Sequence, residues 1–508
     1  WTWVMTEAVT STPVATHAAS ASPAPSAADC HETHIGVVFL VGDRAYKLKK
    51  PVLTGFLDFT TRTARLAACR REVALNRRLC PDVYLGVSDV TDPVTGELAD
   101  HLVVMRRMPA DRSLSALVTA GVPVEDPLRA LARQLAAFHA RAERGPRIAQ
   151  AGSVDALRGR WVGTFASIER FTGVVLSRST VEAVERLSMR FLDGRRALFD
   201  ARCDQGRIVD GHGDLIADDV FCLPDGPRAL DCLEFSDDLR FVDGLDDAAF
   251  LAMDLERLGR PDLAQRFFHD YAEFAADPAP ASLRHHYVAY RSWVRALVAC
   301  VRAGQGEQSA QVRAERHADI TLRHLRTAAV RLVLVGGLPG TGKSTLAGAL
   351  ADRMGAVLLS SDRLRKQQAG LEPESSATAD YRHGIYAPAA TEMAYSELLR
   401  RAEVALGAGE HVVVDASWTD RRYRDQAVEL AAQTHAELVQ LRCDAPISVT
   451  TDRILHRGAS PSDATIAVAS AMAATADPWP AATTIRTTNT AAESLAPAVR
   501  SWDDATNP

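Results

Sequence analysis

Residues 331–345 read RLVLVGGLPGTGKST, and this stretch decides how the C-terminal part of the chain folds. It opens with the nearly continuous apolar run RLVLVG, which is typical of a strand buried in a parallel sheet. The following residues, 337–344, match the pattern GxxxxGK[ST], in which glycines let backbone N–H groups surround a phosphate. Helical sequence comes next, and a helix N terminus adds positive potential at the same place. These flanks favour a phosphate-binding loop over a chance glycine-rich turn.

The loop is predicted to bind the phosphates of ATP. Its binding residues are Gly337, Gly340, Thr341, Gly342, Lys343, Ser344 and Thr345. Lys343 should reach the β- and γ-phosphates and take part in catalysis, and Ser344 should bind Mg²⁺ through its hydroxyl group. ATP and Mg²⁺ are therefore the predicted cofactors.

Strand and helix patterns alternate after the loop, which indicates an α/β domain with a parallel sheet. The further strands are predicted at 356–360, 411–415 and 437–442. The sequence before residue 328 does not alternate strand and helix patterns in this way. Short β-rich runs lie at 37–40, 45–49 and 102–105, and helical patterns lie at 127–142, 155–200, 246–302 and 309–327. The predicted organisation is a disordered Ala/Ser/Thr/Pro-rich tail (1–28), an α+β domain (29–327) and the α/β domain (328–508).

Two carboxylates follow strands of the α/β domain. Asp362 lies in SSDRLR (360–365), where an aspartate can accept the proton of an attacking hydroxyl. The alternative is a surface aspartate that caps a helix. Asp415 ends the strand HVVVD (411–415), where it can hold Mg²⁺ through water.

This part of the chain resembles the P-loop small kinases related to phage polynucleotide kinase, chloramphenicol phosphotransferase and zeta-type toxins. The resemblance implies that Asp362 is the catalytic base and that Arg365 grips substrate or phosphate. In these kinases a lid carries arginines to the transferring phosphate. Arg453 and Arg457 are four residues apart, on one helix face, and Arg457 is the predicted lid arginine. A solvated basic face is the alternative for this pair.

The stretch GHGDLIADDVF (211–221) resembles the catalytic loop of aminoglycoside phosphotransferases, which share the protein-kinase fold. The resemblance implies that Asp214 takes the proton of the acceptor hydroxyl. The family's Mg²⁺-binding Asn is replaced by Asp219, which suits Mg²⁺ but adds a negative charge. Asp231, in RALDCLEF (228–235), matches the second metal-binding aspartate, and Glu234 is a further candidate of unknown role.

Upstream residues complete the resemblance to a protein-kinase-like domain. Lys47, in AYKLKK (45–50), is similar to the strand lysine that contacts the α- and β-phosphates, and Glu72 is its helix-borne partner. Lys49 has the same strand parity and is the alternative lysine. Met105 occupies the position of the adenine hinge. No GxGxxG pattern precedes Lys47, and ETHIG (32–36) takes its place.

One helical stretch of the first domain stays open to two interpretations. Tyr287, Arg291 and Arg295 share a helix face, and they either line an acceptor cleft or face the next domain. We favour the second interpretation. The whole chain resembles bacterial two-domain proteins in which an aminoglycoside phosphotransferase-like domain is fused to a P-loop kinase domain.

Composition narrows the class of function further. The net charge is −6, which disfavours a nucleic-acid partner, and the 47% hydrophobic residues include no apolar run long enough to span a membrane. The eight cysteines form no CxxC pair, which favours a cytoplasmic protein. Of the 58 basic residues only five are lysines, Lys47, Lys49, Lys50, Lys343 and Lys366, and all lie in predicted phosphate sites or beside them.

The sequence therefore predicts an ATP- and Mg²⁺-dependent phosphotransferase that acts on a hydroxyl group of a small molecule, with two nucleotide sites. In one alternative, only the P-loop domain is catalytic and the kinase-like domain recognises substrate or regulates. In the other, the protein is a nucleotide-binding sensor or ATPase without an acceptor.

Overall fold

The computed structural model describes residues 29–32, 35–53, 58–372, 382–456 and 462–506. The predicted disordered tail over 1–28 lies outside these residues. The described chain divides into two compact units, which we call the kinase-like unit and the P-loop unit. The P-loop unit contains the chain from Leu325 onward together with Arg186–Phe199 and Pro280–His286, and the kinase-like unit contains the rest.

A five-stranded antiparallel sheet begins the kinase-like unit. Its strands are β1 (Asp29–Glu32), β2 (Gly36–Val41), β3 (Arg44–Lys49), β4 (Tyr84–Thr91) and β5 (Leu98–Arg106). Their order across the sheet is β1-β2-β3-β5-β4. Gly42 adopts a φ of 56° in the turn between β2 and β3, a conformation that suits glycine. The predicted strands correspond to β2, β3 and β5, whereas β1 and β4 were not predicted.

Helices make up most of the remaining chain up to residue 328. They are α1 (Arg62–Asn76), α2 (Leu114–Thr119), α3 (Glu125–Arg141), α4 (Pro146–Gln150), α5 (Val154–Ile168), α6 (Arg178–Asp193), α7 (Arg196–Asp204), α8 (Asp237–Arg240), α9 (Gly244–Arg257), α10 (Pro261–Phe274), α11 (Ala281–Gly304) and α12 (Gln308–Ala328). The helical pattern over 246–302 is divided among α9, α10 and α11. The first break falls at Gly259, with a φ of 85°, and Pro261 then begins α10.

Two short antiparallel pairs lie between α7 and α9. Their strands are β6 (Ile208–Asp210), β7 (Val220–Leu223), β8 (Gly226–Ala229) and β9 (Phe241–Asp243). β6 pairs with β9 and β7 pairs with β8. The antiparallel sheet, the short pairs and the helices together form the predicted α+β protein-kinase-like fold.

A five-stranded parallel sheet forms the centre of the P-loop unit. Its strands are β10 (Arg331–Gly336), β11 (Val357–Ser360), β12 (Val412–Asp415), β13 (Glu437–Asp444) and β14 (Thr483–Arg486), and its order is β11-β12-β10-β13-β14. The helices are α13 (Lys343–Met354), α14 (Ser361–Gln368), α15 (Pro388–Gly407), α16 (Arg421–Gln433), α17 (Ile447–Leu455), α18 (Ile466–Thr475) and α19 (Ala491–Asp504). The prediction of an α/β P-loop domain with a parallel sheet is confirmed; β14, which is short and polar, was not predicted.

The core of the P-loop unit explains why the loop after β10 is held firmly. All six residues of β10 are buried, as expected for the central strand of a sheet covered on both faces. Val333, Val335 and Leu350 belong to one buried cluster, which α19 closes with Trp502. Because the hydrophobic interior fixes both β10 and α13, the loop between them has two rigid ends. Among the helices in the described ranges, none combines the length and hydropathy needed to cross a membrane.

Candidate active sites

The loop between β10 and α13 requires glycine at several positions. Gly337, Gly340 and Gly342 have φ values of 135°, 80° and 83°, in the region that disfavours side chains. A Cβ atom on Gly337 would lie 2.6 Å from the carbonyl oxygen of Cys443, and one on Gly340 would lie 2.7 Å from that of Thr450. The surrounding backbone therefore leaves no space for a side chain, and the loop conformation depends on these glycines.

Local hydrogen bonds close the loop. The hydroxyl of Thr341 donates to the carbonyl oxygen of Leu338 at 2.7 Å, and the ammonium of Lys343 donates to the same oxygen at 3.1 Å. The backbone carbonyl of Thr341 accepts a hydrogen bond of 2.6 Å from the hydroxyl of Thr487. Lys343 thus lies over its own loop, within reach of the space that the loop encloses.

The structure brings together Ser344 and Asp415, the two predicted metal ligands of this unit. The carboxylate of Asp415 lies close enough to the hydroxyls of Ser344 and Ser360 for both to lower its pKa. Burial raises the pKa of Asp415 above its ordinary value, although the nearby charge of Lys343 and the hydroxyl of Ser344 lower it. A hydroxyl and a carboxylate beside a phosphate loop fit Mg²⁺, which commonly takes one or two carboxylates together with phosphate oxygens. Thr345 lies next to Ser344 in the first turn of α13 and is exposed.

A cavity of about 470 Å³ lies beside the loop and contains the predicted catalytic residues of this unit. Lys343, Asp362, Arg365 and Asp415 all line it. Asp362 lies in the first turn of α14, directly after β11. Arg365 is buried, donates from Nη1 to the hydroxyl of Thr391 at 2.8 Å, and has a buried Nε with no hydrogen-bond acceptor among the described residues. The arrangement leaves room for a small molecule next to Asp362.

Three tyrosines that sequence reasoning missed, Tyr386, Tyr395 and Tyr423, line this cavity. Tyr395 and Tyr423 stack with ring centroids 3.9 Å apart, and the guanidinium of Arg365 lies 5.4 Å from the ring of Tyr386. The terminal nitrogen of Arg422 donates to the hydroxyl of Tyr423 at 2.7 Å. The chain has only nine tyrosines, so three within 386–423 were a usable signal of an aromatic surface.

The predicted pair of lid arginines is only partly described. Arg453 lies on α17 and donates to the carbonyl oxygens of Gly340 and Thr487, at 3.4 and 2.6 Å. It therefore contacts the phosphate loop directly instead of lying on a solvated face. Arg457 lies outside the described residues.

Two lysines and three carboxylates form a connected cluster in the kinase-like unit. Lys47 Nζ lies 2.9 Å from Glu72 Oε1 and 2.5 Å from Asp231 Oδ1, so the structure brings together the three residues that the sequence matched to this site. Lys49 Nζ lies 2.6 Å from the other oxygen of Glu72 and also pairs with Glu234. The two lysines are thus not alternatives. Lys47 pairs with the partly exposed carboxylate of Asp231. Lys49 is fully buried, and Glu234 compensates its charge.

A buried aspartate holds the predicted catalytic loop in place. The carboxylate of Asp247 accepts the backbone N–H groups of His212 and Gly213, at 2.7 and 2.8 Å. Its Oδ2 also lies 2.9 Å from Nε2 of His139, whose Nδ1 lies 2.8 Å from the hydroxyl of Tyr271. Burial alone would raise the pKa of Asp247, but the hydrogen bond and charge of His139 lower it well below its usual range. His139 and Asp247 therefore have a structural role in positioning the loop.

The other two predicted carboxylates of this site, Asp214 and Asp219, share one electrostatic environment with Asp231. Desolvation raises the pKa of Asp214, while the charges of Arg295 and His212 lower it in part. Desolvation also raises the pKa of Asp219, and the charges of Asp231 and Asp214 add to this effect. Within the described ranges, no group of three or more His, Cys, Asp or Glu side chains is arranged to hold a metal. Two carboxylates with phosphate oxygens would still suit Mg²⁺.

The remaining predicted nucleotide contacts lie on the antiparallel sheet. Met105 is buried near the end of β5, opposite Ala45 on the strand that carries Lys47. β1 and β2 pair directly, with Glu32 opposite Val37. Of the segment ETHIG (32–36), Thr33 and His34 lie outside the described residues.

A cavity of about 820 Å³ adjoins Asp214 in the kinase-like unit. Arg291 and Arg295 both line it, so the favoured interpretation, in which this helix face serves the next domain, is wrong for these two residues. Tyr287 instead donates to Asp243 at 3.1 Å in the interior. The spacing along α11 placed the three residues on one face, but only the packing of α9 and α5 around that face determines which of them reach a cavity.

The two units together define a protein that combines a protein-kinase-like domain with a P-loop domain. The AAA domain family model matches residues 332–479. The chain is 45% identical to the uncharacterized proteins Rv2004c of Mycobacterium tuberculosis (strain ATCC 25618 / H37Rv) and Mb2027c of Mycobacterium bovis, over 94% of this chain and 96% of each relative. It belongs to the same family as these mycobacterial proteins.

Solved structures are similar to each of the two parts separately. A putative kinase from Chloroflexus aurantiacus is 21% identical, with 34% of this chain and 97% of that chain covered and a TM-score of 0.28. A choline/ethanolamine kinase family protein from Mesorhizobium loti is 15% identical, with 60% and 92% covered and a TM-score of 0.38. The GDP and kanamycin complex of an aminoglycoside phosphotransferase, APH(2")-IIIa, is 16% identical, with 59% and 93% covered and a TM-score of 0.37.

Proposed function

We propose that the P-loop unit transfers the γ-phosphate of ATP to a hydroxyl group of a small molecule. The observation that carries this proposal is that Lys343, Asp362 and Arg365 line one cavity. An ATPase without an acceptor needs room only for water beside the γ-phosphate. A cavity of about 470 Å³ with a stacked tyrosine wall is instead suited to an organic molecule.

Each residue has a separate role in this proposal. The loop glycines expose backbone N–H groups to the phosphates, and Lys343 neutralises charge on the β- and γ-phosphates. Ser344 and Asp415 would hold Mg²⁺, which supplies further charge neutralisation when it is bound. Asp362 accepts the proton of the acceptor hydroxyl as its oxygen attacks the γ-phosphorus, and Arg365 orients the acceptor or the phosphate. The products are ADP and a phosphate monoester.

Acceptor-dependent release of ADP tests this proposal. In a screen over sugars, aminoglycosides and nucleosides, at least one class should stimulate ADP release by the full chain. Asp362→Asn should then lower the stimulated rate by about 10²–10⁴-fold, since a general base contributes that much. Asp352→Asn on the exposed side of α13 is the matched control and should leave the rate unchanged. ATP hydrolysis that no acceptor stimulates would favour the sensor instead.

We infer a second phosphotransfer site in the kinase-like unit, with Asp214 as its base. The observation that favours it is the cavity of about 820 Å³ beside Asp214, together with the Lys47–Glu72–Asp231 cluster. Lys47 would contact the α- and β-phosphates of ATP, and Asp219 and Asp231 would hold Mg²⁺. In the alternative, this unit recognises substrate or regulates without catalysis.

A chain in which the P-loop site is silenced separates these two possibilities. With Lys343→Ala in place, any remaining acceptor-stimulated ADP release should fall by about 10²–10⁴-fold when Asp214→Asn is added. Asp218→Asn, in the same loop but exposed, is the control. If Lys343→Ala by itself abolishes all stimulated release, the kinase-like unit is not a second catalyst.

A further inference from the structure

The cavity beside Asp214 has an unusual balance of charge. Its lining includes four arginines, Arg147, Arg160, Arg291 and Arg295, but only two carboxylates, Asp214 and Asp238. The cavity of the P-loop unit has no such excess, because its four basic residues are accompanied by five acidic ones. One of the two carboxylates beside the arginines is the proposed base itself, so the walls that surround an acceptor are mainly cationic.

The four arginines differ in how many ion pairs and hydrogen bonds their guanidinium groups already make with the protein. Arg291 is buried and makes two hydrogen bonds to Asp246, of 2.7 and 2.8 Å, so its charge is neutralised. Arg147 lies 3.2 Å from Asp238, and both side chains of this pair are mostly exposed, which makes the pair weak.

Among the described residues, the other two arginines form no ion pair with a carboxylate. Arg160 donates within these ranges only to the backbone carbonyls of Asp238 and Phe241, at 3.2 and 2.9 Å, although its charge also acts on Asp246. Arg295 makes no hydrogen bond and no ion pair among the described residues; its charge acts on Asp214 through space. Burial removes part of the water around a half-buried guanidinium, and the oxygens of a bound anion can replace that water through charged hydrogen bonds.

We propose that this cavity binds an acceptor that carries an anionic group, a phosphate or a carboxylate, and that Arg160 and Arg295 bind that group. The planar guanidinium offers paired donors that match the oxygens of either anion. The acceptor's hydroxyl would then lie toward Asp214 while its anionic group lies toward α5 and α11. A polycation such as an aminoglycoside would meet like charge on these walls, which costs binding energy.

This inference rests on the proposed second site, but binding tests it independently of turnover. The full chain with Lys343→Ala is titrated by calorimetry with glucose, glucose 6-phosphate, glucuronate and kanamycin. At least one of the two anionic sugars should bind more tightly than both glucose and kanamycin. Which of the two anions binds better distinguishes a phosphorylated acceptor from a carboxylated one.

Substitutions on α11 and α5 then assign the effect to the cavity. Arg295→Gln and Arg160→Gln should each weaken binding of the anionic sugar by about tenfold or more, which is what the loss of a charged hydrogen bond costs. Arg302→Gln, an exposed residue of the same helix α11, is the matched control and should bind as the parent chain does. Equal or tighter binding of glucose or kanamycin would overturn the inference. So would binding that Arg295→Gln leaves unchanged, or no binding of either anionic sugar.

The same compounds, assayed for Asp214-dependent ADP release, show which proposal has failed if one fails. Anion binding that depends on Arg295 without any ADP release would leave the anion site standing and remove the proposed catalysis. ADP release that is stimulated by kanamycin and not by the anionic sugars would support the proposed catalysis and remove the anion site.

Discussion

The two units hold their phosphate-site lysines in opposite ways. Lys343 of the P-loop unit donates to the carbonyl oxygen of Leu338, five residues earlier in the same loop. Lys47 of the kinase-like unit is held by Glu72 and by Asp231, which lies 184 residues away along the chain. Lys343 is therefore held by the backbone of its own local segment. Lys47 is held by side chains that distant segments bring together, so its position depends on buried and partly buried ion pairs.

The largest expected effect on stability is in the kinase-like unit. Glu72→Gln removes the one carboxylate that Lys47 and the fully buried Lys49 share. Because breaking a buried ion pair leaves charge without compensation, we expect a loss of about 3 kcal/mol in the free energy of unfolding of this unit. Urea denaturation, followed by one spectroscopic signal from each unit, measures this free energy of unfolding. Glu97→Gln, an exposed residue of the same unit, should change it by less than about 0.5 kcal/mol. Equal losses for the two variants would show that the cluster does not stabilise the unit.

In the P-loop unit, loss of the lysine should lower activity strongly and stability only slightly. Lys343→Ala should lower ATP turnover by about 10²–10³-fold, since it removes a charge placed on the transferred phosphate. It should cost no more than about 1 kcal/mol of stability, because only one hydrogen bond to a backbone carbonyl is lost. Steady-state kinetics and urea denaturation of the same preparation give both numbers. If Lys343→Ala lost as much stability as Glu72→Gln, the two lysines would not differ in how they contribute to stability.

The stability of the phosphate loop should depend on its backbone conformation and not on the side chain of Lys343. Gly340→Ala places a side chain at a φ of 80°, with its Cβ 2.7 Å from the carbonyl oxygen of Thr450. We expect a cost of about 1–3 kcal/mol and weaker binding of ATP. The control is Gly348→Ala in α13, where a Cβ meets no atom within 4 Å. Since alanine favours a helix, that variant should be neutral or more stable by up to about 1 kcal/mol. Both changes are measurable as shifts in the urea midpoint of the P-loop unit.

The smallest expected effect is on pH dependence, and it is specific to the kinase-like unit. Burial raises the pKa of Asp214, and a base acts only when it is deprotonated. Activity through this site should therefore rise with pH through a pKa above that of an ordinary aspartate, and it should be lost as the pH falls below that value. The pH–rate profile of the Lys343→Ala chain records this limb. Persistence of the same limb after Asp214→Asn is added would assign it to another group.

The same contrast explains how much of each site could be predicted. The loop 337–344 was recognisable because strand, glycines, lysine and helix follow one another without interruption, and the structure shows the required φ values at Gly337, Gly340 and Gly342. In the kinase-like unit the sequence indicated Lys47, Glu72, Asp214 and Asp231. It gave Lys49 only as the alternative to Lys47 and left Glu234 without a role, because their pairing depends on how β3, α1 and the segment after β8 meet.

The sequence by itself determined the two folds and most of their elements, although not β1, β4 and β14, and it singled out Lys47 and Lys343 as the lysines predicted to contact phosphate. These features follow from local pattern: apolar runs, glycine spacing and short motifs act over a few residues. Only the tertiary structure decided which side chains surround each cavity. The arginines beside Asp214 come from α4, α5 and α11, which are far apart in the chain, and the rings of Tyr395 and Tyr423 meet because α15 packs against α16. Burial and charge compensation, which determine what those side chains can bind, arise only when the helices pack together.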